Sequence, residues 1–456
     1  MSKKKTNDYQ DAQGIMALCG KFAKVLKAGT LGLLIVLMPS CSTEDRCKSQ
    51  LDSMLGLKDS LGWRQRDNAY RESVKPEMIQ SLDVYIENSL SMDGYINGDT
   101  QFKGTLGNII YTLKNELLAD NGKYTLNYIN DSIIYWGEDI NRYVMHCNKA
   151  EFAKRGLDNK LRGTSDIAKC LSSVMGLIKR KENKDEDNVA VFVSDCVFSP
   201  KSGDSIQVYL DIQRGSTSSA VRKLGQDYGV IVYRFLSDFN GTFYDKADLG
   251  HTIREKRPYF VWIIGKRHHL ADIRKQLVKE EKQGDVFESF SSFDYIPYFC
   301  RQAHCKISNG KHVEECPKLV NGRLRLDYLV DYSDFPLSEE YLTNGENYDI
   351  NGSITMHIKN IAKTDKKPNE YTHMITLESD SLSGKLKAGS QVTVSLKRKD
   401  IPRQWIELYD DANGDDDYRN GTHYEKPRTF GLRSLIEGTY EAYKDIPLTK
   451  MSIIIN

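Results

Sequence analysis

The chain has 456 residues, 39% of them hydrophobic and 10% aromatic, enough to build two or three packed domains and too much to leave the whole chain disordered. Lys and Arg total 64 against 63 Asp and Glu, so the net charge is +1, and no overall electrostatic attraction to nucleic acid or an anionic membrane follows. Nine cysteines in this length are too sparse for a disulfide-dense scaffold.

The N-terminus reads as a targeting segment. Lys21, Lys24 and Lys27 precede an apolar run from Ala28 to Met38, and Pro39-Ser40-Cys41 follows. About eleven residues match the core of a signal peptide; a membrane-spanning helix needs roughly 20. A small residue before a cysteine resembles a lipobox, although Met38 and Pro39 differ from its commonest residues. This implies cleavage after Ser40, lipidation at Cys41 and anchoring in the bacterial cell envelope, periplasmic or on the outer-membrane surface. Met16 is an alternative start that would give a more ordinary leader. Residues 1–40 are thus the expected signal, and residues 41–78 a polar tether.

From residue 79 to 285, strand and helix patterns alternate. Asp83 to Ile86 is a short apolar strand, Phe102 to Leu118 a helix, and Tyr124 to Trp136 two β-rich segments that turn near Asn130-Asp131. A short helix is expected from Ala150 to Arg155. Ser165 to Arg180 is a helix with Ile167, Ala168, Leu171, Val174, Met175 and Ile178 on one stripe. Val189 to Val193 is a continuously apolar strand, as expected where both sheet faces are covered. Ile206 to Leu224 reads as helix, Gly229 to Phe235 and Tyr259 to Ile264 as buried strands, and His268 to Lys282 as helix, its His268-His269 pair expected at the surface. The order predicts an α/β fold with a doubly wound, mostly parallel sheet, and Ile86, Val193, Val232 and Ile263 buried on neighbouring strands.

In such sheets ligands bind beyond the carboxyl ends of the strands. Glu87-Asn88-Ser89-Leu90-Ser91-Met92 follows the first strand, Gly163-Thr164-Ser165 precedes the long helix, and Ser194-Asp195 follows the apolar strand. Carboxylate and hydroxyl oxygens suit a hard divalent ion. Glu87-x-Ser89-x-Ser91-Met92 resembles the Asp-x-Ser-x-Ser-Met motif of the metal-ion-dependent adhesion site in von Willebrand factor type A (vWA) domains. Gly163-Thr164-Ser165 and Val191-Phe192-Val193-Ser194-Asp195 resemble that family's Gly-Thr loop and its strand ending in Thr-Asp. The resemblance implies a vWA-like domain in which Glu87, Ser89, Ser91, Thr164 and Asp195 gather around Mg2+ or a similar cation. An acidic group of a protein ligand would complete the coordination. It implies binding and not catalysis. One departure is Glu87, which stands where the family has Asp and carries its carboxylate one methylene farther out.

Residues 286–318 form a connector rich in aromatics and cysteine, with Cys300, Cys305 and Cys316 clustered; in an exported chain this spacing fits a disulfide, with a metal cluster as the alternative. Residues 319–456 read as a smaller, mainly-β C-terminal domain, with runs at Arg323 to Val330, Ser353 to Ile358, His373 to Leu377, Gln391 to Leu396 and Met451 to Ile455, and one late helix near Leu432 to Tyr443. Asp411 to Asp417 reads as a solvated acidic turn, lacking the glycine and final glutamate of a calcium loop. No Gly-x-Ser-x-Gly elbow, His-Glu-x-x-His or P-loop occurs. The readings that remain are a lipid-anchored adhesion protein, a metal-independent structural component of an envelope assembly, and a metal-dependent exported hydrolase. The partners implied are a protein ligand and the membrane through the lipid, with no nucleic acid.

Overall fold

The computed structural model describes residues 78–148, 152, 165–182, 187–200, 205–244, 250–282, 284–292, 298–300, 305–308, 311–314, 319–364, 371–382, 387, 389–412, 427–445 and 447–455. The signal segment, the tether up to residue 77, Cys41, Thr164, Cys316 and residues 413–417 lie outside these, as does the short helix expected at 150–155 apart from Phe152.

A seven-stranded sheet organises the chain. Its strands are β1 (Ile79–Glu87), β2 (Leu118–Ile129), β3 (Ile133–Gly137), β4 (Asn188–Ser194), β5 (Tyr228–Tyr244), β6 (Gly250–Lys266) and β7 (Asp285–Phe290), in the order β3-β2-β1-β4-β6-β5-β7. The expected mostly parallel sheet is corrected here. Only the β2–β1 and β1–β4 pairs are parallel; β2–β3, β4–β6, β6–β5 and β5–β7 are antiparallel. The reason is that β5 and β6 form one long hairpin paired from Tyr228–Lys266 to Tyr244–Gly250. A hairpin needs only a short turn, whereas a parallel pair needs a crossover of a dozen or more residues, and none separates these two strands. The pairings Ile86–Val193, Val191–Ile263 and Val232–Trp262 place Ile86, Val193, Val232 and Ile263 on four adjacent strands, and all four are buried as expected.

Helices cover both faces. One face carries α1 (Gln101–Thr112), which continues as a wider turn to Leu117, with α2 (Ile140–His146) and, after β6, α5 (Arg267–Gln276). The other carries α3 (Ile167–Glu182) and α4 (Ile206–Leu224). α3 buries Ile167, Cys170, Leu171, Val174, Met175 and Ile178, the spacing of one helical stripe.

The C-terminal region contributes two things. Strands β8 (Tyr298–Cys300), β9 (Cys305–Ser308), β10 (Lys311–Glu314), β11 (Leu319–Val320), β12 (Arg323–Val330), β13 (Tyr348–Gly352), β14 (Met356–Lys363), β15 (His373–Leu382), β16 (Ser390–Leu396) and β19 (Thr449–Ile455) form two smaller sheets, antiparallel except at β10–β19. They share one core built from the alternate residues Leu324, Leu326, Tyr328 and Val330 of β12 and Val392, Val394 and Leu396 of β16, with Met451, Ile453 and Ile455 of β19. The second contribution is α6 (Arg403–Tyr409) and α7 (Leu432–Glu441), which pack into the α3–α4 face of the large sheet through Trp405, Ile406, Leu432, Leu435 and Ile436. Between them a two-stranded pair joins β17 (Asp410–Asp411) to β18 (Thr429–Phe430). Asp411 is buried there and not solvated.

α7 approaches α4 closely because residue 438 has no side chain. A Cβ at Gly438 would stand 2.5 Å from the backbone oxygen of Arg214 and 3.0 Å from Thr217. Backbone cannot yield as a flexible side chain can, so Gly438→Ala is expected to destabilise the fold by about 1–3 kcal/mol, the usual cost of overpacking. Denaturant unfolding measures this; an unchanged midpoint would show that the two helices can separate freely.

Candidate functional site

β1 and β4 are adjacent and parallel, so their carboxyl ends coincide and the residues that follow them meet. Ile86 lies opposite Val193, which sets Glu87 beside Ser194. Side chains alternate between faces along a strand. Ile86 and Val193 face the α1 layer, so Glu87 and Ser194 turn towards the α3 layer, where Ser165 precedes the helix. Ser194 Oγ donates a short hydrogen bond to Glu87 Oε2 and accepts one from the Cys196 amide at 2.7 Å. Asp195 Oδ1 accepts from the Val197 amide at 3.2 Å. Ser89 and Ser91 lie side by side, their hydroxyls 2.9 Å apart.

Electrostatics tie these groups together. Burial pushes the Glu87 carboxyl up to about 8, and the nearby charge of Asp195 adds to the rise; hydroxyls of Ser194, Ser89 and Ser165 oppose it. Burial also raises Asp195, against Ser91, the Val197 amide and the Arg257 guanidinium. Of the expected set, then, Glu87, Ser89, Ser91 and Asp195 are brought together, and Thr164 lies outside the described residues although its neighbour Ser165 is present. Ser165 Oγ is buried near Glu87 and completes no hydrogen bond of ordinary geometry. Both polar atoms of the buried Asn88 amide lack a partner as well.

The carboxylates are less open than a surface site would leave them. Glu87 and Asp195 are buried and Ser89 and Ser91 are half-buried. The cause is the outer part of the β5–β6 hairpin. β6 pairs with β4 only from Phe260 onward, so residues 250–259 extend past the end of β4. The segment after β1 packs on this arm. Tyr95 Oη donates to the Pro258 carbonyl at 2.6 Å, and a Cβ on Gly241 would stand 2.6 Å from Gly94 Cα. Arg257, also on the arm, pairs with Glu255 at 2.8 Å and donates to the Arg428 carbonyl at 2.7 Å. Ser194 and Ser165 stood in the sequence motifs but not among the expected donors, and Arg257 was not singled out by the sequence. For Ser194 the signal was its place directly before Asp195; for Arg257 there was none, because the length of the arm follows only from hairpin pairing.

A pH dependence follows. An unfolded chain releases the Glu87 proton near the ordinary carboxylate range, whereas the folded chain keeps it to about 8. Its stabilising contribution is therefore full below the ordinary value and is lost as pH rises towards 8, at up to about 1.4 kcal/mol per pH unit. Glu87→Gln, which cannot ionise, is expected to lose less stability than the parent between pH 5 and 8, measured without divalent ions. Identical slopes for the two proteins would show that Glu87 is charged throughout.

A second group lies at the other end of the sheet. Asp187 precedes β4, and His268 and His269 sit in the first turn of α5 after β6; their ligand atoms all lie within 4.8 Å of one another and could hold a metal ion. The expected surface position of this histidine pair is corrected, since His269 is buried. Burial, the neighbouring His269 and Lys266 lower His268 to about 4 against the pull of Asp187 and Asp272. Burial would raise Asp187, but the close contacts and charges of His269 and Lys266 bring it down to about 2.

β8 ends at Cys300 and β9 begins at Cys305, in different sheets, and Cys316 lies outside the described residues. Among the described residues no helix is long and apolar enough to cross a membrane. No protein-family model, curated protein or solved structure matches the chain.

Proposed function

We propose that the protein is a lipid-anchored component of the bacterial envelope that captures a protein ligand through a divalent cation, Mg2+ or a similar hard ion, held at the ends of β1 and β4 in the manner of a vWA domain. The observation that carries this reading is the pairing of two buried carboxylates, Glu87 and Asp195, each raised by burial, beside hydroxyls of Ser89, Ser91, Ser165 and Ser194. Two buried negative charges side by side are costly, and a divalent ion offsets both. All the donors are oxygens, as a hard ion prefers. Ser89 and Ser91 are the half-exposed members, so an acidic group of the ligand would approach from their side. Thr164 would complete the donors, as the resemblance implies. The reading is of a binding module and not of an enzyme.

The hydrogen bonds from Ser194 to Glu87 and between Ser89 and Ser91 favour a second reading, because they satisfy part of the site without an ion. In that case the chain is a metal-independent structural component of an envelope assembly. Crosslinking and pull-down from the envelope, with and without chelator, separates the two: a partner lost on chelation supports the cation-dependent reading, and one retained supports the second. Anchoring has its own test. Cys41→Ala is expected to abolish incorporation of labelled fatty acid and release the protein from the membrane fraction; persistent labelling would show that another residue carries the lipid.

A further inference from the structure

We propose that Asp187, His268 and His269 form a three-ligand site for Zn2+ or a related late first-row divalent ion, distinct from the oxygen-donor site at Glu87 and Asp195. The sites occupy opposite ends of β4. Asp187 and Asp195 are eight residues apart in sequence, roughly 26 Å along an extended strand at about 3.3 Å per residue.

The chemistry of the donors selects the ion. Two imidazoles and one carboxylate suit zinc and its neighbours and are a poor set for Mg2+. The geometry has the right scale. His269 Nε2 is 3.0 Å and His268 Nε2 4.0 Å from the same oxygen, Asp187 Oδ2, and the two rings are 4.1 Å apart between centroids. Ligands about 2.0–2.1 Å from a tetrahedral ion stand roughly 3.3 Å from one another, so small side-chain adjustments enclose one.

The buried polar groups point the same way. Asp187 and His269 are 4% and 3% exposed, and the contacts Asp187 makes with His269 and Lys266, 3.0 Å each, fall short of good hydrogen-bond geometry. Buried polar groups are stabilised by well-formed partners, and one ion would engage all three side chains. Lys266 Nζ lies 3.0 Å from Asp187 Oδ1, which leaves Oδ2, the oxygen both histidines face, for the metal. The ammonium and the positive end of α5 oppose a cation; the charges of Asp187 and Asp272 oppose them in turn. His268 is one-fifth exposed, and on its side a water would take the fourth position.

Such an ion would fasten four elements. The Asp187 carbonyl already accepts the Gln80 and Ser81 amides at 3.1 and 3.0 Å, joining the starts of β1 and β4. Metal binding would add the end of β6 and the start of α5, and would stabilise the fold in proportion to the logarithm of free Zn2+ above its Kd.

The test uses the mature, metal-stripped protein. Zn2+ titration by calorimetry is expected to give one high-affinity ion per chain with a rise in Tm. Co2+ is expected to give the visible absorption of a four-coordinate nitrogen and oxygen site. His268→Ala, at the more accessible ligand, and His269→Ala should each weaken Zn2+ binding beyond the roughly 10–100-fold that loss of an outer-shell partner costs. Asp195→Ala and Cys300→Ser should leave it unchanged. Absence of Zn2+ binding by the parent, full affinity in His268→Ala, or a thiolate-to-cobalt charge-transfer band that Cys300→Ser removes would each overturn the proposal. If His269→Ala does not fold, His268→Ala alone decides.

Discussion

Asp195→Ala is expected to abolish Mg2+ binding and with it capture of the protein ligand, while the protein stays folded. The carboxylate lies at the end of β4, its Oδ1 held by the Val197 amide, and Ser91 and Arg257 act on it from the other sides. Removing it takes away half the charge that would hold the cation, and the remaining hydroxyls cannot make up that loss. The fold should survive because burial disfavours the charged form that is lost. Arg257 is not stranded either, since it keeps Glu255 and the Arg428 carbonyl. Asp195 is also the second largest influence raising Glu87, so its removal should lower the proton affinity of Glu87. Calorimetry with Mg2+ and a pull-down under the same conditions measure both effects, and chelator should mimic the variant. Glu87→Asp supplies the complementary result: affinity preserved or tightened. Heats indistinguishable from buffer in the parent and in Glu87→Asp alike would remove the metal and leave the structural reading.

The largest loss of stability is expected from Glu288→Ala, about 3–5 kcal/mol, the range for removing one partner of a buried ion pair. Glu288 lies on β7 with a fully buried side chain. It accepts a short hydrogen bond from Arg274 of α5 and one from Lys399 at 2.8 Å. Arg274 Nη1 also donates to the Pro336 carbonyl at 2.8 Å, so the same cluster ties the edge of the large sheet to the β-rich C-terminal region. Lys399 is partly exposed and can turn to water; Arg274, with a side chain 10% exposed, cannot. Its buried charge would lose the carboxylate that Glu288 sets against it and keep the Pro336 carbonyl. Glu288→Gln keeps the volume and an acceptor and should cost less. Denaturant midpoints rank the two variants, and equal midpoints for parent and Glu288→Ala would show that Arg274 reaches solvent after all.

Much of the Glu87–Asp195 cluster was legible in the sequence because it depends on local order. A strand ending in Glu87 and a strand ending in Ser194-Asp195 meet whenever those strands lie side by side and parallel, and continuous apolar runs at Val84–Ile86 and Val189–Val193 mark strands buried on both faces. The stripe on α3 and the alternating core of β12 and β16 were likewise visible, since helices repeat at 3.6 residues and strands at 2. The late helix at Leu432 was legible as a helix. That it leaves its own β-rich surroundings to cover α4 was not, because the contact at Gly438 joins residues more than two hundred positions apart.

What only the tertiary structure decided is the direction of β6. Sequence shows two apolar runs, Gly229–Phe235 and Tyr259–Ile264, and a mostly parallel sheet would have put the start of β4 and the end of β6 at opposite edges. Antiparallel pairing of β4 with β6 brings them to the same edge, and so brings Asp187 to His268 and His269. The same pairing sends the outer half of the β5–β6 hairpin past the other edge, where Arg257 acts on the buried Asp195 and Pro258 accepts from Tyr95. An apolar run carries the information that a strand is buried, since burial depends on its own side chains. It carries none about which way the strand points, because the backbone groups that pair one strand with the next are the same in every residue but proline.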